Sequence, residues 1–374
     1  MRIIHLAYED SRQPGAGGGS IRAREINRRL SARHEITALV AGYPGARRRV
    51  EDGVEWIPIG LRAAGKPARL AYFAVAGPHL ALRRHDLVVE EFAAPFSVGP
   101  APSFTRKPIV ASVQWLFAEG MRVKYRLPFD TVERRGLGRY RRFIAVSSWL
   151  AAELERRNPA ATVATIPNGV DPAALAAPAR PPEHLAFVGR LDVAHKGIDL
   201  LLEAMVCVKQ ALGPRVPPLL IVGDGPDEGR IREEIRRRGL ADVVLLRGRL
   251  EGPQKYDVMA RARAVLMPSR WETFGMVAVE ALAVGVPVVA FDVGPLREVV
   301  RGAATLIEPF DVRSFAREVI RLVDGRHDGV AAREQRRTVA RHYDWDAIAD
   351  EQERAYIDAV ENWSAARAGE AAAA

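Results

Sequence analysis

A chain of 374 residues, 48% of them hydrophobic, is long enough for two domains with separate cores. The amino-terminal MRIIHLAYED is typical of a β-strand rather than a signal peptide, and no apolar run reaches the length of a membrane span, so we expect a cytoplasmic protein. The single cysteine, Cys207, lies in an apolar helical stretch, which predicts a buried structural thiol and excludes a disulfide framework.

The net charge is +9, and arginine supplies most of the 55 basic residues. Phosphate-bearing ligands, an anionic membrane surface or nucleic acid would each suit such a chain. A GC-biased genome would also produce the arginines without any binding role, and this is our interpretation for most of them. No recognisable nucleic-acid module accompanies them, so we expect no nucleic-acid partner.

Strand candidates alternate with helical stretches along residues 1–176, which predicts a parallel sheet with crossover helices. Residues 171–184, rich in proline and alanine, are typical of an interdomain linker. The pattern then restarts, so we predict two Rossmann-like domains, residues 1–176 and 177–348, followed by a helix over 349–366 and a disordered tail, 367–374. The predicted strands are IIHLA, EITALVA, LVVEE, PIVASV, RFIAVS and VATIP, then HLAFVG, PLLIVG, VVLLRG, AVLMP and VPVVAF.

The first strand runs into a glycine-rich turn. Gly17, Gly18 and Gly19 allow close backbone approach to a phosphate just before a predicted helix. By itself this is a weak motif, and it is not the dinucleotide fingerprint, because no acidic residue closes a second strand about twenty positions further on.

The segment 184–205 predicts a strand, a loop and a helix, with Arg190 and Lys196 in the loop. Cations at the carboxyl end of a parallel strand face the crevice where such sheets bind ligands, and these two could neutralise a diphosphate leaving group. Two exposed loop cations without such a role would be the better interpretation if this segment stood alone.

The most informative segment is 264–291, which predicts a strand, a loop, a helix beginning near Gly275, and a second strand. From Met276 onward the helix is apolar except for Glu280, a carboxylate that needs a partner when buried. A ribose diol is one such partner, the free amides at the helix start suit a diphosphate, and Glu272 in the preceding loop could accept from sugar hydroxyls. The spacing alone leaves equally open that Glu280 pairs with a buried arginine and that Glu272 is solvated.

Together these segments resemble the retaining glycosyltransferases of family 4. That family has the GT-B fold, an α/β fold of two Rossmann-like domains facing across a donor-binding cleft. The resemblance covers nearly the whole chain, and besides the glycine-rich turn it rests on IPNGVD (166–171), GRLDVAHKG (189–197), VGDGP (222–226), GRL (248–250) and PSRWETFGMVAVEALAVGVPVVA (268–290).

The resemblance implies a role for each candidate residue. Glu272 would bind the hexose hydroxyls, Glu280 the ribose, and Arg190 and Lys196 the diphosphate. The terminal helix, 349–366, would cross back onto the first domain. The remaining predicted donor-binding residues are Gly18, Gly19, Gly248, Arg249, Leu250, Phe274, Gly275, Met276 and Val277.

The sequence departs from the family at Gln114, where many relatives carry a histidine close to the sugar. Glutamine can hydrogen-bond a sugar hydroxyl but cannot act as a general base, so Gln114 is an acceptor-side candidate and no protein base is assigned.

Two further segments differ from expectation without changing the proposed site. The segment 302–309 is shorter than the glycine-bearing version usual in the family, and this difference concerns a surface loop. Asp344 and Asp346 match a metal motif of another glycosyltransferase fold, but their place before a helix favours capping, so we expect no metal and no cofactor.

Five arginines cluster before the strand RFIAVS. They could face anionic lipid or a phosphorylated acceptor, although a solvated basic helix is the somewhat better interpretation. The alternative location is therefore peripheral, on the inner face of the membrane. The cluster comprises Arg134, Arg135, Arg139, Arg141 and Arg142.

The leading hypothesis is a metal-independent hexosyltransferase that uses a nucleotide-diphosphate sugar, UDP-linked ahead of GDP-linked. The acceptor would be a hydroxyl of a small molecule, a natural product or a lipid. Retention would follow if an oxygen of the donor's own phosphate took the acceptor proton. The alternatives are a sugar-nucleotide epimerase of the same fold and a catalytically silent binding module.

Overall fold

The computed structural model describes residues 1–13, 15–92, 98–116, 118–325 and 329–373, without the side chains of 123–125 and 366–373. The chain divides into two compact units. The first comprises Met1–Asn168 and Trp345–Ala374, and the second comprises Gly169–Asp344.

The first unit is built on an eight-stranded sheet. Its strands are β1 (Arg2–Tyr8), β2 (Glu35–Ala41), β3 (Arg49–Glu51), β4 (Val54–Ile59), β5 (Leu87–Glu91), β6 (Ile109–Val113), β7 (Arg142–Ala145) and β8 (Thr162–Thr165). Their order is β3-β4-β2-β1-β5-β6-β7-β8, and among the strands that the structure describes only β3 and β4 pair antiparallel. The six predicted strands of this half are confirmed. The hairpin β3–β4 was not predicted, because β3 is short and charged and Pro58 interrupts β4.

Helices cover both faces of this sheet. They are α1 (Gly18–Leu30), α2 (Lys66–Ala81), α3 (Ala118–Tyr125), α4 (Phe129–Leu137) and α5 (Ser148–Arg157), with a 3-10 turn at Ala101–Ser103. Along β1 the side chains alternate between two cores, because successive residues of a strand point to opposite faces. Ile3 packs with Ile26 of α1, whereas Ile4 packs with Tyr72 of α2.

The second unit contains a six-stranded parallel sheet. Its strands are β9 (His184–Val188), β10 (Leu219–Val222), β11 (Val244–Gly248), β12 (Ala262–Met267), β13 (Val288–Phe291) and β14 (Thr305–Ile307), in the order β11-β10-β9-β12-β13-β14. The five predicted strands are confirmed, and the short β14 was missed. The strand order reverses between β9 and β12, and open parallel sheets bind ligands beyond the carboxyl ends of strands at such a point.

The helices of the second unit begin before its first strand. They are α6 (Pro172–Ala176), α7 (Val193–Lys196), α8 (Ile198–Leu212), α9 (Glu228–Arg237), α10 (Gly252–Ala260), α11 (Met276–Val284), α12 (Leu296–Val300), α13 (Val312–Asp324) and α14 (Val330–Arg341), with a 3-10 turn at Gly213–Arg215.

The boundary between the units falls after Asn168, not after residue 176 as the sequence predicts. The predicted linker, 171–184, belongs to the second unit because its start is tied down there. The Asp171 carboxylate caps α6 by accepting from the amide of Ala173 at 2.9 Å, and it also accepts from the hydroxyl of Tyr256 at 3.0 Å.

The last helix, α15 (Trp345–Ala373), returns to the first unit, where Trp345 and Tyr356 join the core beside α1. Its backbone continues through residues 367–373, which differs from the predicted disordered tail. The reason is composition, since alanine has the highest helix propensity and extends a helix already docked at its start. No helix in the described ranges is both long and apolar enough to cross a membrane.

Candidate active site

Lys196, predicted to lie in a loop, is the last residue of the short helix α7, and it forms an ion pair with Glu272 in the loop after β12. The ammonium Nζ lies 2.6 Å from Oε1 of the carboxylate, although the residues are 76 positions apart. The hydroxyl of Ser269 donates to the same oxygen at 2.7 Å. Glu272 is only 7% exposed, so it is not the solvated loop residue that its spacing left open.

A second contact joins the segment after β9 to the loop after β12. The Arg270 guanidinium donates to both carboxylate oxygens of Asp199, at 2.8 and 2.7 Å, and to the carbonyl of Val193 at 2.8 Å. Gly197 adopts a left-handed φ of 63°, and a Cβ atom there would lie 2.0 Å from the carbonyl oxygen of Pro268. Only glycine fits at this point without a shift of the neighbouring backbone.

His195 and Trp271 stack beside this ion pair. Their ring centroids are 3.7 Å apart with an interplanar angle of 14°, and Nε2 of His195 lies 3.1 Å from the carbonyl oxygen of Trp271. Burial, reinforced by the Lys196 charge, lowers the pKa of His195 to about 4, so a neutral imidazole donates to this carbonyl at neutral pH. Sequence reasoning missed this pair, although each residue adjoins a predicted site residue.

The start of α11 is confirmed where the motif predicts it. Gly275 is the N-cap, with a φ of 95°, and a Cβ atom there would lie 2.4 Å from Leu296. Phe274 is buried and packs edge-on against Tyr343. The backbone amide of Ala278 is the first in α11 to donate to the carbonyl of Gly275. The amides of Met276 and Val277 precede it, so they take no part in the hydrogen bonds within the helix and lie at the positive end of the helix dipole.

Glu280, the charged residue of the otherwise apolar α11, is 7% exposed and pairs with a lysine rather than an arginine. Nζ of Lys255 lies 2.8 Å from its Oε1, and the hydroxyl of Tyr256 lies 3.4 Å from the same atom. Burial and the neighbouring carboxylates raise the pKa of Tyr256, so its hydroxyl stays protonated. Lys255 and Tyr256 were missed, because no pattern within α10 marks them as neighbours of α11.

The remaining donor-side candidates lie at or just after the carboxyl ends of β9 and β11. Arg190, just after β9, is exposed and makes no side-chain ion pair with the residues that the structure describes. Gly248 ends the edge strand β11 with a φ of 69°, and its carbonyl accepts from Gly223 at 2.8 Å. Arg249 pairs with Glu251, Nε to Oε1, at 2.6 Å, and Leu250 is half-buried.

In the first unit the glycine-rich turn meets Gln114. Gly18 and Gly19 form the start of α1, and a Cβ atom on Gly19 would touch the Gln114 side chain at 3.4 Å. Asn168 donates to Oε1 of Gln114 at 3.2 Å, whereas the Nε2 donor is buried without a hydrogen-bond partner in the described part of the chain. An amide donor in this position suits the oxygen of a hydroxyl.

The arginine cluster is only partly solvated. Arg139 donates to the hydroxyl of Ser103 at 2.7 Å, and Arg142 pairs with Asp358 of α15 at 2.5 Å. Arg134, Arg135, Arg139 and Arg141 are exposed, and Arg142 is half-buried.

Solved structures match almost the whole chain. Sucrose-phosphate synthase from Thermosynechococcus elongatus superposes with a TM-score of 0.75 at 22% identity, covering 96% of this chain and 98% of that one. HepE from Anabaena, in complex with UDP and glucose, superposes with a TM-score of 0.71 at 18% identity, covering 94% and 98%. At such identities the likeness concerns the fold, which is the predicted α/β GT-B fold with two parallel-sheet domains.

Two family profiles match consecutive parts of the chain. The family described as Glycosyltransferase Family 4 matches residues 16–174, and the family described as Glycosyl transferases group 1 matches residues 176–357. Fold and site together therefore define a glycosyltransferase of the GT-B class. The chain belongs to family 4, the group 1 glycosyl transferases, as its motifs predict.

Curated relatives match over shorter regions. Glycogen synthase of Mycobacterium tuberculosis is 29% identical over 209 residues, covering 53% of this chain and 49% of the relative. The phosphatidyl-myo-inositol mannosyltransferase of the same species is 33% identical over 234 residues, covering 57% and 58%. The chain thus spans about half the length of the curated relatives it matches.

Proposed function

We propose that this protein transfers a hexose from a nucleotide-diphosphate sugar to an acceptor hydroxyl, with retention at the anomeric carbon and without a metal ion. The observation that carries the proposal is the buried Lys196–Glu272 pair beside the start of α11, at the reversal of strand order. There the Lys196 ammonium, the Glu272 carboxylate and the amides at the start of α11 can together bind a sugar diphosphate. UDP is the favoured nucleotide, in keeping with the UDP bound to HepE, and GDP is second.

In the proposed reaction the bond from the anomeric carbon to the donor phosphate oxygen breaks while a bond to the acceptor oxygen forms on the same face. The acceptor proton passes to an oxygen of the leaving phosphate, so no protein base is required. Lys196, Arg190 and the amides of Met276 and Val277 stabilise the charge that grows on the diphosphate. Glu272 accepts from the sugar hydroxyls and orients the ring.

The acceptor side of the proposal rests on Gln114, whose Nε2 is an unused donor. We propose that this amide holds the acceptor or sugar hydroxyl in place. The acceptor is a small molecule, a natural product or a lipid. A catalytically silent binding module is the second candidate function, because Gln114 offers no titratable group that could act as a base.

A peripheral location on the inner face of the membrane is a further part of the proposal. Exposed Arg134 and Arg135 lie on α4 close to exposed Leu127 and Val132, a combination that suits anionic lipid. Cosedimentation with phosphatidylglycerol vesicles is the test. Binding lost in Arg134→Glu/Arg135→Glu supports this contact, and equal recovery with phosphatidylcholine vesicles contradicts it.

The roles of the two glutamates provide the main test. Glu280→Ala should weaken binding of UDP about tenfold or more, because the ribose is common to the donor and the free nucleotide. Glu272→Ala should leave UDP affinity within about twofold and lower turnover at least a hundredfold, since its proposed partners are on the sugar. Calorimetry with UDP and GDP, and product analysis with a panel of nucleotide sugars, measure both quantities.

The matched control is Glu233→Ala on the exposed face of α9, which should change neither affinity nor turnover. Equal losses of UDP affinity in both site variants would contradict the division of roles. Donor binding without transfer to any acceptor would identify a silent module, and conversion of the free sugar nucleotide to its epimer would identify an epimerase.

A further inference from the structure

Lys255 contacts Glu280, although the resemblance to the family assigns Lys255 no role. Its Nζ is 2.8 Å from Oε1 of Glu280 and 4.7 Å from the centroid of the Tyr256 ring. Both the ammonium and the Tyr256 hydroxyl contact Oε1. The Lys255 side chain is 19% exposed, so the ammonium is close to the surface of a largely buried cluster.

Within the described part of the chain, the Lys255 ammonium has hydrogen-bond donors to spare. An ammonium group carries three N–H donors, and the contact with Glu280 uses one of them. A hydroxyl group both donates and accepts, whereas a carboxylate can only accept. A ribose hydroxyl that donates to Glu280 would therefore lie near the Lys255 ammonium, which donates to the same carboxylate. The oxygen of that hydroxyl would then be placed to accept from a second N–H of Lys255.

We propose that Lys255 is a specificity-determining residue of the nucleotide site, which donates to a ribose hydroxyl oxygen while Glu280 accepts from the same diol. This inference rests on the proposed function, in which Glu280 binds the ribose. The ligand class is a ribonucleoside diphosphate, with or without its sugar. The paired donor and acceptor select ribose over deoxyribose, because a ribose hydroxyl can donate to Glu280 and accept from Lys255, and a nucleotide lacking that hydroxyl loses both hydrogen bonds.

A purely structural role for Lys255 makes a different prediction. Glu280 is buried, and removing its ion-pair partner would leave an uncompensated carboxylate in the protein. That loss would lower the stability of the variant and weaken every nucleotide by a similar factor. The preference for ribose over deoxyribose is thus the quantity that separates the two roles.

The experiment measures dissociation constants of UDP, 2′-deoxy-UDP and 3′-deoxy-UDP for wild type and Lys255→Met, with GDP and its deoxy forms in parallel. Wild type should prefer the ribonucleotide about tenfold or more, and Lys255→Met should reduce that preference at least about fivefold for one deoxy position. The donor KM should rise while kcat changes less than about twofold. Lys209→Met, which breaks the exposed pair with Asp242 in the same unit, is the matched control and should retain the wild-type preference.

The outcomes separate the inference from the function on which it rests. An unchanged ribose preference in Lys255→Met overturns the role of Lys255 and leaves the transferase proposal standing. Wild type that binds neither UDP nor GDP overturns both. If circular dichroism shows that Lys255→Met is unfolded, Lys255→Ala, which also lacks a side-chain donor, replaces it, and a wild-type preference in that variant likewise overturns the inference.

Discussion

We predict that Glu90 makes the stability of the first unit depend on pH. It lies at the end of β5, is 2% exposed, and its Oε2 lies 2.7 Å from the hydroxyl of Tyr140, while the amide of Ala101 donates to its Oε1 at 3.4 Å. The same hydroxyl is 3.0 Å from the carbonyl oxygen of Gly99. Tyr140 has one proton for two acceptors, so a protonated Glu90 completes the chain by donating to Tyr140, which then donates to Gly99.

Burial raises the pKa of Glu90 from 4.5 to about 7, against the lowering effect of the hydrogen bonds from Tyr140 and Ala101. Between those pH values the folded protein binds more protons than the unfolded chain, so the free energy of unfolding falls as pH rises. The contribution is fully present below about pH 4.5 and is lost by about pH 7. At about 1.4 kcal/mol for each pH unit, the interval amounts to roughly 3 kcal/mol.

Glu90→Gln should remove this dependence, because its amide is neutral at every pH and can still donate to Tyr140. We expect the variant to match wild type near pH 5 and to be more stable by about 1–3 kcal/mol at pH 8. Urea unfolding at pH 5, 6, 7 and 8, followed by tryptophan fluorescence, measures the difference. Glu155→Gln, an exposed site on α5, is the control and should follow wild type. The same slope between pH 5 and 7 in wild type and Glu90→Gln would refute the reasoning.

Four further predictions concern the site. Turnover should survive excess EDTA, because Lys196, Arg190 and the start of α11 supply the positive charge; activity lost to EDTA and restored by magnesium or manganese would reject this. Gln114→Ala should raise the barrier by about 1–3 kcal/mol without altering the basic limb of the pH–rate profile, since an amide does not titrate. Glu119→Gln, at an exposed position on α3, should retain near-normal turnover, and a loss of many thousandfold would identify it as a base. Gly197→Ala should lower the melting temperature and weaken UDP binding, because its Cβ would lie 2.0 Å from the Pro268 carbonyl oxygen; wild-type values of both would contradict the clash.

Much of this protein follows from local pattern. Apolar strand runs, each followed by a loop and a helix, predict eleven of the observed strands, because strand and helix periodicities are properties of a few consecutive residues. The start of α11 at Gly275 follows in the same way, from a glycine just ahead of an apolar helical run. These features place Glu272 and Glu280 on their elements before any long-range contact is known.

Only the tertiary structure decided what surrounds those carboxylates. Glu280 pairs with Lys255 and Glu272 with Lys196, across 25 and 76 positions of sequence, and neither separation carries a periodic signal. Asp171 was assigned to a linker from composition, yet it caps α6 and accepts from Tyr256. The physical reason is common to the three carboxylates: a charge that is wholly or partly withdrawn from water needs a partner, and the packing of separate segments brings that partner within reach.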